Sequence, residues 1–569
     1  MSIFDFEKDS PERIGVVENV DTANIVIKIE NEEKLKRMQV NHLVVVQSSK
    51  VGQHLIALVN KIMRNSFESV DDDNKPMYII ENVVKATLIG THLDKFGTKP
   101  NVFKRTLETV PEIDADCFML HGDRLTSFMK AITQIAIEGK SPLSLGHYAL
   151  DENAEAWLDG NKFFQRHAVI VGSTGSGKSW TVAKLLEQVA KLPSANVIVF
   201  DIHGEYAPLN GSGFQHVKIA GPNDKSKDGI LFLPYWLLTY EEMISLMLDR
   251  SDNNAPNQAM AFSNAVLEQK RKNLESLGKK DIAGIFTIDS PVPYKLSEIL
   301  VEFNRLDTEM VPGAKTEKQG PMHGKLTRFI QRLESKKSDK RLNFLFNESK
   351  EVLAYEYMEH LSKVLMHSSS LQLNKGVKII DFSEVPSDVL SLMVSLVGRL
   401  VFSIQQWISK ENRHPIAIFC DEAHLYLPEK TRSSLEDAGL QNFERIAKEG
   451  RKYGIGLVVI SQRPAEVNRT ILSQSNNFVA MRLTNAEDQA VIKRLLPDSL
   501  GGYAELLPIL DIGEALVVGD ASLLPSRIKI SKPFYEPNSA TVDFWDEWQR
   551  DSTIDVISGA IEALRKQSR

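Results

Sequence analysis

The chain has 569 residues, 42% of them hydrophobic and 25% charged, which is the composition of ordinary globular domains. Its 68 Lys and Arg against 75 Asp and Glu give a net charge of −7, which excludes a uniformly basic nucleic-acid-binding protein but allows a local basic channel. Two cysteines are too few for a disulfide-stabilised secreted protein, so we expect a cytoplasmic location.

The N-terminal part of the chain has the pattern of a small β domain. Apolar runs such as RIGVVENV, ANIVIKIE and LVVVQ follow one another in residues 13–60. Turn residues separate them at intervals of roughly 8–12 residues, which is typical of a small barrel or sandwich. We expect an N-terminal β-barrel domain at residues 1–150.

The pattern changes after His167. HAVIVG predicts a buried strand, a Gly-rich turn and a helix follow, and NVIVFD predicts a second strand. This order of strand, helix and strand predicts an α/β fold with a parallel sheet and helices on both faces. Further strands are predicted at 377–382, 416–422, 456–461, 477–483 and 514–519. The core therefore falls into two parts, residues 151–234 and 346–535.

Helical periodicity without a buried strand marks the segment between these two parts. We interpret residues 235–345 as an inserted helical subdomain, and residues 536–569 as a C-terminal helical tail. The longest apolar stretch runs from Val389 to Ile408 and carries Arg399 at its middle. A charge at the centre of a bilayer is unfavourable, so we expect a buried helix and no membrane span.

Residues 172–179, GSTGSGKS, match G-x-x-x-x-G-K-[ST] at every fixed position and lie between a predicted strand and a predicted helix. In this motif backbone N–H groups surround phosphate oxygens, and the helix N-terminus adds positive charge. Lys178 should reach the β- and γ-phosphates of ATP, and Ser179 should bind Mg²⁺. The predicted nucleotide-binding residues are Gly172, Ser173, Thr174, Gly175, Ser176, Gly177, Lys178, Ser179 and Trp180.

Polar residues follow other predicted strands of the core. IAIFCDEAH places Asp421 and Glu422 at a strand end, where one carboxylate can bind Mg²⁺ through water and the other can polarise the attacking water. GLVVIS is followed directly by Gln462, which can sense the γ-phosphate, orient water, or simply bond to the backbone.

FDIHGEY ends another strand with three polar residues, Asp201, His203 and Glu205. We interpret them as residues that support the site or contact another subunit, with plain capping as the alternative.

The segments FFQRHAVIVGSTGSGKS, FDIHGEY, IFCDEAH, RIAKEGRKYGIGLVVISQRP and FVAMRLTN together resemble the HerA family of hexameric DNA translocases and helicases. This family lies within the FtsK–HerA group of phosphate-loop ATPases. The resemblance implies a RecA-like parallel-sheet ATPase core, an N-terminal barrel of the HAS-barrel type, an inserted helical bundle and a homo-hexamer.

The resemblance also implies that each ATP site lies between neighbouring subunits and is completed by an arginine of the neighbour. Such an arginine stabilises charge on the transferring phosphoryl group. The candidates, in order, are Arg445, Arg451 and Arg166, and each could instead be an ordinary surface arginine. Arg445 and Arg451 are six residues apart and so point to different faces of a helix.

Two basic segments are candidates for the DNA contact. Lys430 and Arg432 lie in a polar loop after the acidic pair, in the region where the family has its channel loops, and could bind phosphate or be simply solvated. A second set shares one helix face, which we interpret as a solvated face: Lys325, Arg328, Arg332 and Lys336. No motif for sequence-specific readout is visible.

The resemblance therefore implies an ATP-driven motor on double-stranded DNA. Within the family the motor serves a separately encoded effector, either a nuclease of the NurA type or another nuclease, or a sirtuin-like NAD-consuming protein, in DNA end processing or anti-phage defence. The sequence shows no second catalytic constellation, so we expect any cutting to come from the partner. The alternatives are an envelope-associated ring ATPase that pumps DNA or protein, and an ATP-regulated assembly scaffold for an effector.

Overall fold

The structure is a computed structural model, and the part of the chain that it describes comprises residues 4, 6–7, 10–21, 23–48, 50, 52–70, 76–93, 102–105, 109–138, 142–225, 227–312, 316–366, 376–496, 501–539, 542–549 and 557–566. The chain forms two compact units. The first unit contains Met1–Gln188, Val458–Ala465 and Leu472–Glu536. The second contains Val189–Leu457, Glu466–Ile471 and Pro537–Arg569.

The strands, in chain order, are β1 Arg13–Val20, β2 Asn24–Ile29, β3 Leu43–Gln47, β4 Gln53–Val70, β5 Pro76–Leu93, β6 Val102–Lys104, β7 Asp116–Met119, β8 Pro142–Tyr148, β9 Asp151–Asp159, β10 Ala168–Val171, β11 Val197–Asp201, β12 Phe214–Ile219, β13 Ile230–Leu231, β14 Met310–Val311, β15 Lys318–Gln319, β16 Val377–Asp381, β17 Ile416–Cys420, β18 Ile455–Ser461, β19 Asn477–Met481, β20 Glu514–Gly519 and β21 Ser526–Ile530.

The helices are α1 Glu32–Arg37, α2 Gly122–Glu138, α3 Gly160–Gln165, α4 Lys178–Val189, α5 Tyr240–Met247, α6 Ala255–Ser276, α7 Lys280–Ala283, α8 Leu296–Thr308, α9 Thr327–Ser338, α10 Asn343–Phe346, α11 Tyr357–Met366, α12 Ser387–Trp407, α13 Ser434–Glu449, α14 Arg469–Ser473, α15 Ala486–Leu495, α16 Gly501–Ala504, α17 Phe544–Trp548 and α18 Ile557–Lys566.

A closed β-barrel forms the N-terminal part of the first unit. The strand order β2-β1-β7-β3-β4-β5 returns to β2, because β2 also pairs with β5, and β6 adds to the outside of β5. Alternate residues of β2 point inward, so that Ile25, Ile27 and Ile29 are all buried. The predicted β domain is thus a barrel and not a sandwich.

The first unit also contains a mixed sheet that carries the phosphate loop. Strand β10 lies between the end of β18 and β19 and is parallel to both, and the order continues through β20, β21, β8 and β9 with antiparallel pairing. All four residues of β10 are buried. The sequence predicts a domain boundary at residue 150. Strand β8 lies before this boundary and β9 after it, so the mixed sheet contains residues from both predicted segments.

A parallel sheet of order β13-β12-β16-β11-β17 forms the core of the second unit. Its strands β11 and β17 are buried along their whole length, as expected when helices cover both faces. In β11 and β16 the pairing aligns Asp201 with Asp381, and in β11 and β17 it aligns Phe200 with Cys420. The carboxyl ends of these strands therefore meet at one edge.

Among the described residues between β13 and α11, the main regular elements are helices α5 to α10, and the two-residue strands β14 and β15 form a hairpin. Aromatic rings pack together in this segment. The centre of the Phe329 ring lies 5.7 Å from that of Phe262 and 5.9 Å from that of Phe303. A capping box at Thr239 and Glu242 begins α5.

Within the described residues, the helix Ser387–Trp407 has the length and apolar composition of a membrane span. Most of its apolar window is buried. Its Arg399 makes a 2.8 Å ion pair with the buried Glu242 and donates to the Leu237 carbonyl at 2.8 Å. These contacts are those of a core helix, in agreement with the interpretation of this stretch from the sequence.

Candidate functional site

The phosphate loop, residues 172–177, needs glycine at three positions for different reasons. A Cβ atom on Gly172 would lie 2.4 Å from Ser176 Oγ and 2.8 Å from Met481 Cβ, so no larger residue fits there. Gly175 and Gly177 have φ angles of +74° and +103°, which glycine adopts without strain. The glycines found by the motif are therefore required by the backbone of this loop.

Neighbouring chain segments support the loop from its own unit. Ser173 N donates to the Arg482 carbonyl at 2.8 Å, and Gly513 N donates to the Ser176 carbonyl at 3.0 Å. Lys178 is buried at the start of α4, while Ser179 is partly exposed. Arg482 and Gly513 come from distant parts of the sequence, and the motif alone does not reveal them.

Gln462 lies at the phosphate loop. It follows β18, which pairs with β10 so that Ser461 aligns with Val171. The Thr174 hydroxyl donates to Gln462 Oε1 at 2.5 Å. The structure thus brings together the loop and the glutamine that the sequence analysis assigned to the same site.

The acidic edge of the second unit consists of Asp201, Glu205, Asp421 and Glu422. Asp201 accepts the backbone N–H groups of Glu205 and Tyr206, each at 3.0 Å, and so folds FDIHGEY back over the strand ends. Burial raises the pKa of Asp201 to about 6 in spite of these two donors. His203 of the same motif is exposed.

Burial, together with the carboxylates of Glu422, Glu205 and Asp201, raises the pKa of Asp421 well above its ordinary value. Carboxylates at close range repel one another, so they either retain a proton or attract a cation. Among the described residues no group of three or more His, Cys, Asp and Glu side chains could hold a metal ion by itself. The carboxylate oxygens of this edge are of the kind that Mg²⁺ accepts, since Mg²⁺ is bound through one or two carboxylates and takes its other ligands from water and phosphates.

Glu422 has a left-handed backbone, with φ and ψ both at 45°. This conformation is strained for a residue with a side chain, and such strain is concentrated at functional sites. Glu422 Oε2 lies 3.3 Å from His424 Nδ1, and the carboxylate is buried. His424 was not singled out in the sequence, because nothing in the letters DEAH shows that its ring turns back to the glutamate.

The three candidate arginines differ in their surroundings. Arg445 lies on α13 with its guanidinium 4.8 Å from the centre of the Phe402 ring and 4.0 Å from Glu449. Arg451 is exposed on the short turn that follows α13. Arg166 forms an ion pair with Asp520 of its own unit.

The two basic segments also differ. Lys430 and Arg432 are exposed, and within the described part of the chain no ion pair engages them. Three cations of the α9 face, in contrast, have acidic partners: Arg332 pairs with Asp249, Arg328 with Asp252 and Lys336 with Asp388. The structure therefore leaves the loop charges more available to an external phosphate than the helix charges.

The base of that loop is anchored in the second unit. Pro428 forms an isolated antiparallel bridge with Val467, and Glu429 N donates to the Glu466 carbonyl at 2.7 Å. Ser433 caps α13 by accepting from Glu436 N. Residues 430–432 thus form a short tip between two fixed points.

Comparisons with known proteins identify several similar chains. The family model "Helicase HerA, central domain" matches residues 143–401. A probable helicase of Methanocaldococcus jannaschii is 23% identical over 90% of this chain and 94% of its own length. The DNA double-strand break repair helicase HerA of Sulfolobus acidocaldarius is 25% identical over 69% of this chain and 70% of its own length. Among solved structures, VirB4 of Thermoanaerobacter pseudethanolicus is similar with a TM-score of 0.45 and 18% identity, over 70% of this chain and 98% of that chain.

Proposed function

Since residues 143–401 match the HerA central-domain model, we propose that the chain is an ATP-hydrolysing helicase of the HerA family and a hexameric motor that translocates on double-stranded DNA. The observation that carries the proposal is the complete phosphate loop with Gln462 bonded to it. The acidic edge at Asp421 and Glu422 would supply the carboxylates that bind Mg²⁺ and accept a proton during ATP hydrolysis.

In the proposed reaction each polar residue has one task. Lys178 stabilises charge on the β- and γ-phosphates, and Gln462 responds to the presence of the γ-phosphate. Glu422 accepts a proton from the attacking water. Ser179 and, through water, Asp421 would hold Mg²⁺, which neutralises phosphate charge when it is bound.

We further propose that an arginine of one subunit acts on the nucleotide of its neighbour. Arg445 is the first candidate, since Phe402 orients its guanidinium while its side chain stays half exposed. Arg451 is the second. Arg166 is the third, because it would first have to leave Asp520.

In this proposal, the DNA-binding site is the tip formed by residues 430–432. Positive side chains without acidic partners can bind phosphate without reading bases, as a motor that moves over any sequence requires. Several subunits would present the same tip to the duplex, so a protein with a net charge of −7 can still hold DNA.

The biological partner in this proposal is a separately encoded nuclease of the NurA type or another effector, such as a sirtuin-like NAD-consuming protein. The similarity to a DNA double-strand break repair helicase supports a role in the processing of DNA ends. A role in anti-phage defence is the second candidate.

The experiment that tests the proposal is steady-state phosphate release with and without linear double-stranded DNA. A motor on DNA should hydrolyse ATP several-fold faster when DNA is present. Unchanged hydrolysis over a range of DNA concentrations would favour the assembly scaffold. Stimulation by membranes or by a secretion substrate, and not by DNA, would favour the envelope-associated pump.

A further inference from the structure

Helix α12 carries three polar side chains within a largely apolar sequence. Ser391, Ser395 and Arg399 are spaced four residues apart, so they lie along one side of the helix. The two serines are buried, and the Arg399 side chain is only 18% exposed. A buried polar group is unfavourable unless it has a hydrogen-bond partner. We call Ser391, Ser395 and Arg399 the polar stripe, and no role described so far uses it.

The two serines of the stripe bond to two different segments of the second unit. Ser391 Oγ donates to the carbonyl of Tyr426 at 3.2 Å, in the turn that follows β17. Ser395 Oγ donates to the Gly439 carbonyl of α13 at 3.1 Å. A Cβ atom on Gly439 would lie 2.9 Å from Ser391 Oγ, so α12 and α13 approach closely there. The stripe therefore holds both the turn and α13 against α12.

Arg399 connects α12 to the inserted helical subdomain through Glu242 of α5. Arg399 Nε donates to Glu242 Oε1 at 2.9 Å, and Nη2 donates to Oε2 at 2.8 Å. The same carboxylate accepts Thr239 N at 2.8 Å in the capping box of α5. A bidentate pair of this kind has a defined geometry as well as a large energy. The pair therefore fixes the start of α5 against α12.

Asn442 of α13 joins these contacts to one another. Its Nδ2 donates to Ser395 Oγ at 2.9 Å and to Glu242 Oε1 at 3.3 Å. One amide thus links α13 to both α12 and α5. Arg445 lies about one turn further along α13, and its guanidinium lies 4.8 Å from the centre of the Phe402 ring of α12. The side of α13 that carries Arg445 is therefore the side held by Asn442.

We propose that Asn442 is a positioning residue, which holds α13 against α5 and α12 so that Arg445 can reach the nucleotide of the neighbouring subunit. The inference rests on the proposed function, because it takes Arg445 as the arginine that acts on the neighbour. A shift of α13 would separate the amide from its two acceptors, and lost hydrogen bonds between partly buried groups are costly. The inserted helical subdomain then contributes to hydrolysis although none of its residues is assigned to the nucleotide.

The test measures kcat for ATP, equilibrium ATP binding and amide hydrogen exchange in the original chain and in Asn442→Ala. We expect kcat to fall by roughly 10- to 100-fold, because a displacement of about 1 Å can cost that much. ATP affinity should stay the same, because the phosphate loop belongs to the other unit. Amides of residues 434–449 should exchange faster, while those of α4 should not change.

A charge exchange separates positioning from a general loss of stability. Asn442→Asp places a second carboxylate beside Glu242 and should lower kcat at least as much as Asn442→Ala. Glu242→Gln added to Asn442→Asp restores one carboxylate and one amide across the contact, and it should recover most of the lost kcat. The matched control is Asn304→Ala, which removes an asparagine that donates to the Leu300 carbonyl within its own helix α8. This control should leave kcat, ATP affinity and α13 exchange unchanged.

Three results would overturn the proposal. The first is a lower melting temperature of Asn442→Ala with the original kcat and α13 exchange, measured where both proteins are folded. The second is a loss of ATP affinity as large as the loss of kcat. The third is a loss of kcat in Asn442→Ala while Arg445→Ala keeps the original kcat, since Asn442 would then act through another group.

Failure of the proposed function would give a different result. If DNA leaves the hydrolysis rate of the original chain unchanged, the motor on DNA is contradicted. A lower kcat in Asn442→Ala, with recovery in the charge-exchanged variant, would still support the positioning role.

Discussion

Lys178 and Glu422 are the residues on which hydrolysis should depend most. In the proposed reaction, Lys178→Ala would remove the charge opposite the γ-phosphate, and Glu422→Gln would remove the carboxylate that accepts the proton from water. Each variant should lower steady-state phosphate release by at least about 100-fold, with an unchanged circular dichroism spectrum.

The control for this pair is Lys191→Ala, which removes an exposed lysine just after α4. It should hydrolyse ATP at the original rate. Original turnover in Glu422→Gln would exclude Glu422 as the general base and would direct attention to Glu205, which lies on the same acidic edge.

At the scale of single residues, the sequence predicted what a local motif can specify. Gly172, Lys178 and Gln462 occupy positions that follow directly from strand ends and a fixed spacing. Arg482 and His424 could not be predicted in the same way. Arg482 meets the loop through its backbone carbonyl, and His424 meets Glu422 because the backbone turns into the left-handed region. Neither contact depends on a side-chain pattern that the sequence displays.

Strand β16 contains a buried lysine whose titration should affect stability. Lys378 donates to Asn196 Oδ1 at 2.6 Å, and burial lowers its pKa to about 7. Between its folded and unfolded pKa values, this lysine is neutral in the folded state and protonated in the unfolded state. The free energy of unfolding is therefore highest above the unfolded pKa and decreases as the pH falls toward 7.

Lys378→Met should therefore remove a pH-dependent loss of stability. As the pH falls from 9.5 to 7.5, the original chain should lose about 2–3 kcal/mol more than the variant, since one pKa unit corresponds to about 1.36 kcal/mol. Melting temperatures of the two proteins at both pH values measure this. Groups that titrate in both proteins change the two melting temperatures equally and cancel in the comparison. Parallel pH profiles of the two proteins would show that Lys378 is not neutral in the folded state.

The loop tip at residues 430–432 should hold DNA through phosphate contacts. Lys430→Ala with Arg432→Ala should weaken binding about equally for unrelated duplexes and should remove DNA-stimulated hydrolysis while the basal rate is kept. The dependence of affinity on salt should also become shallower, by roughly 0.9 log units per log unit of salt for each lost phosphate contact. Fluorescence anisotropy over a salt series measures both effects.

The matched control removes two arginines of α9, Arg328→Ala with Arg332→Ala, whose acidic partners are Asp252 and Asp249. DNA affinity and salt dependence should stay the same. If the α9 variant loses DNA affinity and salt dependence while the loop variant keeps them, DNA contacts α9 and the assignment to the loop is wrong.

For the whole molecule, the sequence predicted the kinds of element and much of their order. Alternating apolar residues predicted the β domain, and continuous apolar runs predicted the parallel strands of the core. It did not predict that β8 and β9 join the sheet of β10 through β21, because that pairing joins segments more than 350 residues apart. Nor could composition decide between barrel and sandwich, since both bury alternate residues and differ only in whether β2 pairs with β5.

The proposal of shared sites makes a prediction about mixtures of inactive subunits. Arg445→Ala and Glu422→Gln should each be inactive alone, because an arginine finger contributes about 10³–10⁵-fold to the rate. In a ring that contains both, a Glu422→Gln subunit can supply its intact Arg445 to a neighbour that retains Glu422. If subunits exchange at random in an equal mixture, about one quarter of the interfaces in a closed ring are intact, so hydrolysis should recover to about that fraction. Light scattering tests whether the particles are hexamers, and tagged subunits test whether exchange occurs. No recovery despite proven exchange would direct the assignment to Arg451 or Arg166, and a fully active monomer would contradict shared sites altogether.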